Sequence, residues 1–221
     1  MRLFIAVLLN EEAKDYLFSA AESLRLQSVS GSFTRRENFH LTLAFLGETE
    51  RAGDVKQAMN RVKEAPFSIT LEGFGHFARR GGDIYWAGIR ESGELIHLQE
   101  QLSRRLKEAG FSLEDRPFRP HLTLGRQVIL KEESFTAQKE ESSTAQGEKY
   151  KSEKILENAK EMGGNSADSL KGTADPRAAA ARTPAGEALK GPAVPVEGIS
   201  LMKSERIAGK LVYTPIYERK F

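Results

Sequence analysis

The tetrapeptide His-Leu-Thr-Leu occurs twice in this chain, at 40–43 and again at 121–124. Each copy lies in an apolar run that meets a glycine, at Gly47 and at Gly125, and such runs are typical of β-strands. Because side chains alternate across a strand, each histidine shares a face with the threonine two residues later, while the leucines point into a core. The repeat therefore predicts two similar halves, each presenting an imidazole and a hydroxyl.

The remaining periodic segments predict a mixed fold of helices and strands. Asn10 is a suitable N-cap for a helix because the acids Glu11 and Glu12 follow it. The pattern predicts helices at 11–27, 52–64 and 95–109, and strands at 2–9, 40–46, 66–75, 83–89, 121–130, 194–207 and 209–221.

The composition changes sharply at Lys131. Residues 131–193 are rich in Glu, Lys, Ser, Ala and Gly, and such a segment cannot bury enough apolar surface to offset the entropy of ordering it. We interpret it as a disordered insertion into a single bilobal domain made of 1–130 and 194–221. Deleting the insertion is expected to leave a folded and active body.

Composition excludes several other classes of protein. The net charge of +2 gives no global basic field, so any binding of nucleic acid has to be local. Without cysteine the chain has neither disulfides nor thiolate metal sites. The first apolar run, Leu3–Leu9, is followed by acids, and no run approaches the roughly eighteen residues of a membrane span. We expect a cytoplasmic protein, and a monomer.

Paired histidines suit a reaction that needs both an acid and a base. Histidine titrates near pH 6.5, so one imidazole can take a proton from water while the other gives a proton to a leaving oxygen. Threonine hydroxyls can hold phosphoryl oxygens. The set fits hydrolysis of a strained cyclic phosphodiester without a metal.

Two other uses of such histidines remain open. A histidine on a strand is often a hydrogen-bonded structural residue rather than a catalyst. A zinc site is the second alternative, but zinc usually requires a third nitrogen, sulfur or carboxylate ligand, which the His-x-Thr spacing does not supply. We therefore predict neither a metal nor a cofactor.

The flanks FHLTLAFLGE and RPHLTLGR, the opening MRLFIAV and the closing pattern of Ser204, Gly209 and Tyr213 resemble the two-histidine (2H) phosphoesterases. The chain is most similar to their RNA 2′,3′-cyclic phosphodiesterase branch, also called the 2′-5′ RNA ligase family. The resemblance covers nearly all of 1–130 and 194–221.

The resemblance implies a bilobal α/β (α+β) fold with pseudo-two-fold symmetry, in which two mainly antiparallel sheets flanked by helices surround a central cleft. It implies opening of RNA 2′,3′-cyclic phosphate ends to 2′-phosphates, with possible 2′-5′ ligation in reverse. His40 becomes the proton donor and His121 the proton acceptor, roles that symmetry alone does not assign. Thr42, Thr123 and Arg126 become phosphate-binding residues, although alternation turns Arg126 away from the cleft unless Gly125 bulges the strand.

Weaker candidates lie outside the repeat. His76, Arg79 and Arg80 belong to a basic, aromatic loop that could contact RNA, or that could be a solvated hairpin loop. Four further residues receive no catalytic role: Phe45, Tyr85 and Trp86 are assigned to the core, and His97 to the surface. Base stacking is the alternative for Phe45.

Two other functions remain open. The chain could be an RNA-end binding module without turnover, or a phosphoesterase of small cyclic phosphates. Possession of two proton carriers favours an enzyme, because binding alone does not require them.

Overall fold

The computed structural model describes residues 1–131 and 190–221. These residues form nine β-strands and three α-helices. The elements in chain order are β1 (Arg2–Leu8), α1 (Glu11–Leu26), β2 (Ser28–Phe33), a 3₁₀ turn (Arg36–Asn38), β3 (His40–Glu48), α2 (Ala52–Asn60), β4 (Phe67–Phe77), β5 (Asp83–Ile89), α3 (Gly93–Glu108), β6 (His121–Leu130), β7 (Lys190–Val196), β8 (Gly198–Ile207) and β9 (Lys210–Lys220).

The strands pair into two antiparallel sheets. The first has the order β3-β1-β8-β9 and the second the order β2-β6-β5-β4-β7. Each sheet contains one His-Leu-Thr-Leu strand, β3 in the first and β6 in the second, as the repeat predicts. Both described ranges contribute to both sheets, because β7 joins the second sheet while β8 and β9 join the first.

Two of the helices begin at side-chain caps. The Asn10 side chain accepts a hydrogen bond from the Ala13 amide at 3.2 Å, and the Ser92 hydroxyl accepts one from the Leu95 amide at 3.2 Å. Each helix buries one apolar face, and the buried leucines of α3 are Leu95, Leu98, Leu102 and Leu106. Within the described ranges, no helix is long and apolar enough to cross a membrane.

Some boundaries differ from the sequence prediction. Strand β2, Ser28–Phe33, was not predicted, because SVSGSF is largely polar and most of its residues are exposed at the edge of the second sheet. Strand β7 begins at Lys190, so the last four residues of the predicted insertion pair with β4 instead. Helix α2 ends at Asn60, four residues before the predicted end. The rest of the predicted insertion, 132–189, lies outside the described residues.

The two motif strands carry irregularities at equivalent positions. In β3 the register against β1 shifts between the pairs Ala6–Thr42 and Ile5–Ala44, which leaves one extra residue on β3. In β6 the register against β5 shifts in the same way, between the pairs Trp86–Thr123 and Tyr85–Gly125. Each bulge therefore follows the threonine of its motif, and it reverses the alternation of side chains beyond that point.

Candidate active site

Both motif histidines are oriented by a backbone carbonyl two residues earlier. His40 Nδ1 lies 2.7 Å from the Asn38 carbonyl oxygen, and His121 Nδ1 lies 2.8 Å from the Arg119 carbonyl oxygen. A carbonyl can only accept, so each Nδ1 carries the proton and donates it. Each Nε2 is therefore left as the reactive nitrogen, an acceptor when the ring is neutral and a donor when it is protonated.

Aromatic rings pack around each histidine. The His40 ring lies 4.8 Å from the Phe4 ring and 5.0 Å, edge to face, from the Tyr213 ring. The His121 ring lies 5.3 Å from Phe77, also edge to face, and 6.5 Å from Trp86. These rings fix the imidazoles from the side and reduce their contact with water.

This burial changes how the histidines titrate. Burial lowers the pKa of His40, an effect that the hydrogen bond to Asn38 opposes and the nearby positive charge of Arg126 reinforces. Burial also lowers the pKa of His121, against the Arg119 carbonyl and together with the charges of Arg126 and Arg116. In the free protein at neutral pH both rings are therefore mainly neutral.

Arg126 lies within electrostatic reach of both histidines. Its Nη2 donates to the Thr123 hydroxyl at 3.3 Å, which places the guanidinium on the histidine face of β6. Strict alternation puts Arg126 on the opposite face, but the bulge places both Leu124 and Gly125 on the buried side. The sequence analysis required a bulge at Gly125 for Arg126 to face the cleft, and β6 has that bulge.

The same bulge geometry corrects the assignment of Phe45. Phe45 is 49% exposed rather than part of the core, because Leu43 and Ala44 are both buried and the alternation reverses after them. Its ring lies 6.0 Å from the Phe4 ring, which itself contacts His40. Phe45 thus stands five residues after His40, as Arg126 stands five residues after His121.

The structure also places the weaker candidates. His76 lies in β4 rather than in a loop; its Nδ1 is 2.8 Å from Asp83 Oδ2, and its ring stacks on Tyr85 at 5.4 Å. Arg79 lies 5.9 Å over the Phe77 ring, and Arg80 is exposed in the turn that follows. His97 is a surface residue, as predicted, and contacts Glu64 at 2.9 Å.

Three residues near the histidines received no role from the sequence. Tyr213, which the sequence analysis named only as part of the closing pattern, contacts His40. Trp86, which was assigned to the core, contacts His121. Asn38 is buried, and its side chain donates to the Leu211 carbonyl at 3.1 Å. Asn38 holds His40 through its backbone carbonyl and strand β9, which carries Tyr213, through its side chain.

The family model described as the 2'-5' RNA ligase superfamily matches residues 14–148, a range that includes both histidine motifs. The chain belongs to this superfamily. The family predicted from the two motifs is thereby confirmed.

Relatives of this superfamily member carry the name RNA 2',3'-cyclic phosphodiesterase. One from Thermotoga maritima is 37% identical over 131 residues, covering 57% of this chain and 70% of the relative. Another, from Escherichia coli, is 31% identical over 130 residues, covering 58% of this chain and 72% of the relative. The shared region therefore extends over most of both relatives.

Solved structures confirm the fold. A crystal structure of a Thermus thermophilus protein is 25% identical, with a TM-score of 0.64, and covers 100% of this chain and 97% of that chain. E. coli LigT complexed with 3'-AMP is 21% identical, with a TM-score of 0.62, and covers 99% of this chain and 97% of that chain. The predicted bilobal α+β fold is thus shown by structural similarity as well as by the two sheets.

Proposed function

We propose that this superfamily member hydrolyses RNA 2′,3′-cyclic phosphate ends to 2′-phosphates by metal-independent acid–base catalysis. One observation carries the proposal: the two sheets each present a histidine whose Nδ1 is held by a carbonyl and whose Nε2 is left for chemistry. The relatives named RNA 2',3'-cyclic phosphodiesterase support the reaction, and the LigT complex with 3'-AMP supports a nucleotide as the ligand.

The proposed reaction requires a base that removes a proton from water and an acid that gives a proton to the leaving oxygen. His121 Nε2 removes a proton from water, and the water oxygen attacks phosphorus. The bond between phosphorus and the 3′-oxygen breaks, and protonated His40 gives its proton to that oxygen. The product is a 2′-phosphate beside a free 3′-hydroxyl, and the histidines have exchanged protonation states. In the same direction, with a 5′-hydroxyl attacking phosphorus in place of water, the P–O3′ bond breaks and the step joins RNA by a 2′-5′ bond; run backwards, it cleaves that bond.

Three side chains are proposed to bind the phosphate. Arg126 and the hydroxyls of Thr42 and Thr123 lie on the histidine faces of β3 and β6. The guanidinium stabilises the charge that grows on the phosphoryl oxygens. Burial, with a smaller contribution from the Arg126 charge, lowers the pKa of His40 and of His121. An anionic substrate that pairs with Arg126 offsets that contribution, which favours the protonated form of His40 and also raises the pKa of His121.

The donor set supports chemistry without a metal. Among the described residues, no three His, Asp or Glu side chains group in a way that could hold an ion. The two Nδ1 atoms already donate to carbonyls.

Because both sheets of one chain complete the cleft, we propose that the monomer is the active unit.

Turnover in the presence of EDTA tests the proposal. The protein is incubated with a short RNA ending in a 2′,3′-cyclic phosphate, after dialysis against EDTA and again after addition of Zn²⁺ or Mg²⁺. We expect the same rate within about twofold in all three conditions, because the acid and base are side chains. Loss of turnover in EDTA that returns with one metal would contradict the mechanism, and tight binding without turnover would favour the RNA-end binder.

Phe45 offers an exposed ring for stacking a base at the edge of the first sheet. Phe45→Ala is expected to raise KM for a cyclic-phosphate dinucleotide by about fivefold to a hundredfold, with a smaller change in kcat, because base–aromatic stacking contributes about 1–3 kcal/mol. Steady-state kinetics measure both constants, and Phe18→Ala, another exposed phenylalanine, serves as the control. An equal loss in kcat for Phe45→Ala would instead indicate a disturbed catalytic strand.

A further inference from the structure

Sheet pairing places one further arginine on the catalytic face of the first sheet. Strand β1 pairs regularly with β8, so Arg2, Phe4 and Ala6 share one face. Phe4 is the ring that contacts His40, which identifies that face as the one lining the cleft. Arg2 therefore lies on the cleft face, two residues and about 7 Å along the strand from Phe4.

The pairing also sets the neighbours of Arg2. Arg2 is opposite Ser204 on β8, and Ser204 is opposite Tyr213 on β9. The three residues thus form one row across the sheet, beside the ring that packs on His40. The positive charge of Arg2 reaches Tyr213: burial raises the pKa of this phenol, while the charges of Arg126 and Arg2 oppose the rise.

The Arg2 guanidinium is available for a ligand. Its cross-strand neighbour Glu48 directs its carboxylate to the N-terminal ammonium, 3.5 Å away. Within residues 1–131 and 190–221, the Arg2 side chain forms neither an ion pair nor a hydrogen bond, and it is exposed. By contrast, Arg36 is paired with both Asp15 and Glu11.

We propose that Arg2, with the Ser204 hydroxyl beside it, binds a second phosphate of the substrate, the one on the 5′ side of the nucleotide that carries the cyclic phosphate. The inference rests on the proposed function and narrows its substrate to RNA ends with an internucleotide phosphate next to the reacting one. Arg126 holds the reacting phosphate from the second sheet, and Arg2 holds its neighbour from the first.

The chemistry of the site favours a phosphate over other groups. A guanidinium offers paired N–H donors that match two phosphoryl oxygens, and an adjacent hydroxyl can donate a third hydrogen bond. Thr42, which is proposed to hold the reacting phosphate, is opposite Ala6, four residues and about 14 Å along β1 from Arg2. The nucleotide between the two phosphates and the long arginine side chain together have to span that separation. A nucleoside cyclic phosphate with a free 5′-hydroxyl leaves this site empty.

Three substrates that differ by one group test the inference. They are adenosine 2′,3′-cyclic phosphate with a free 5′-hydroxyl, the same nucleotide with a 5′-phosphate, and the dinucleotide ApA ending in a 2′,3′-cyclic phosphate. We expect kcat/KM to be about tenfold higher for the second and third than for the first, because a charge-assisted hydrogen bond is gained. In Arg2→Gln both gains should shrink to about twofold or less, and Arg2→Lys should retain part of them.

A control variant and the pattern of kcat/KM values show whether the phosphate site at Arg2 is wrong. Arg25→Gln removes one charge from the surface of α1, where Arg25 pairs with Glu22, and should keep the full preference. Equal kcat/KM for all three substrates, or a preference that survives Arg2→Gln, would overturn the inference while leaving the proposed function intact. A gain with the 5′-phosphate alone but not with the dinucleotide would also overturn it, because the site would then not read RNA.

A binding measurement decides the inference even without turnover. Calorimetry compares adenosine 2′-phosphate with adenosine 2′,5′-bisphosphate, which differ only by the second phosphate. The wild type should bind the bisphosphate about tenfold more tightly, and Arg2→Gln should bind the two alike. If the wild type binds the bisphosphate more tightly but does not turn over the cyclic phosphates, the proposed function is rejected and the phosphate site is kept. If the wild type binds the two nucleotides alike, the phosphate site is rejected.

Discussion

His40→Ala and His121→Ala are each expected to lower kcat for a 2′,3′-cyclic phosphate by about 10²–10⁴-fold, the usual contribution of one proton-transfer group. Both rings have one nitrogen fixed and the other free, so each variant removes a proton carrier rather than a structural contact alone. The double variant should be little slower than the slower single variant, because the acid and the base act in one step. Single-turnover kinetics measure the losses.

The two roles can be separated by the leaving group. In an analogue with sulfur in place of the 3′-oxygen, a thiolate leaves, and a thiol with a pKa near 8.5 needs little help from an acid. We expect His40→Ala to regain most of its activity on this analogue, whereas His121→Ala stays slow. His97→Ala, at a surface histidine, is the matched control. Recovery of the His121 variant instead of the His40 variant would reverse the assignment.

Arg126→Gln is expected to lower kcat/KM by about 10²-fold and to shift the pH dependence to higher pH. The rate loss follows because the guanidinium that faces the phosphate is removed. The shift follows because burial, with the Arg126 charge, lowers the pKa of both His40 and His121. Removing that charge raises both pKa values. The acidic limb, where His121 must be neutral, and the basic limb, where His40 must be protonated, therefore both move up.

A pH–rate profile from about pH 5 to pH 9 measures this shift. The ratio of kcat/KM at pH 8 to that at pH 6 should be larger in Arg126→Gln than in the wild type, whereas Arg126→Lys, which keeps the charge, should stay near the wild-type profile. A profile that moves to lower pH in Arg126→Gln, or one that moves equally in the lysine variant, would contradict the electrostatic role.

The sequence predicted the strand face of each motif residue as far as regular alternation extends. His40, Thr42, His121 and Thr123 lie before the bulges, so a period of two residues places them correctly. Beyond the bulges the same rule fails, and it assigned Phe45 to the core and turned Arg126 away from the cleft. A bulge depends on pairing with β1 and β5, which the sequence of the motif strand alone does not contain.

A similar cause explains why strand β2 was not predicted and why β7 was merged with β8 in one predicted strand at 194–207. The segments SVSGSF and KGPAVPV are polar or rich in glycine and proline, so neither shows the apolar pattern of a central strand, and both lie at an edge of the second sheet. Their place is decided by the neighbours β6 and β4. Trp86 was likewise assigned to the core because the sequence does not show that Thr123, and hence His121, lies on the adjacent strand.

The most direct test of the two-histidine mechanism is to identify the product formed in EDTA. Phosphorus NMR follows the wild type, His40→Ala and His121→Ala with adenosine 2′,3′-cyclic phosphate as the substrate. The mechanism predicts that the wild type forms the 2′-phosphate alone, with no metal added, and that neither variant forms it on the same timescale. A 3′-phosphate product, or a 2′-phosphate that both variants still release at the wild-type rate, would contradict it.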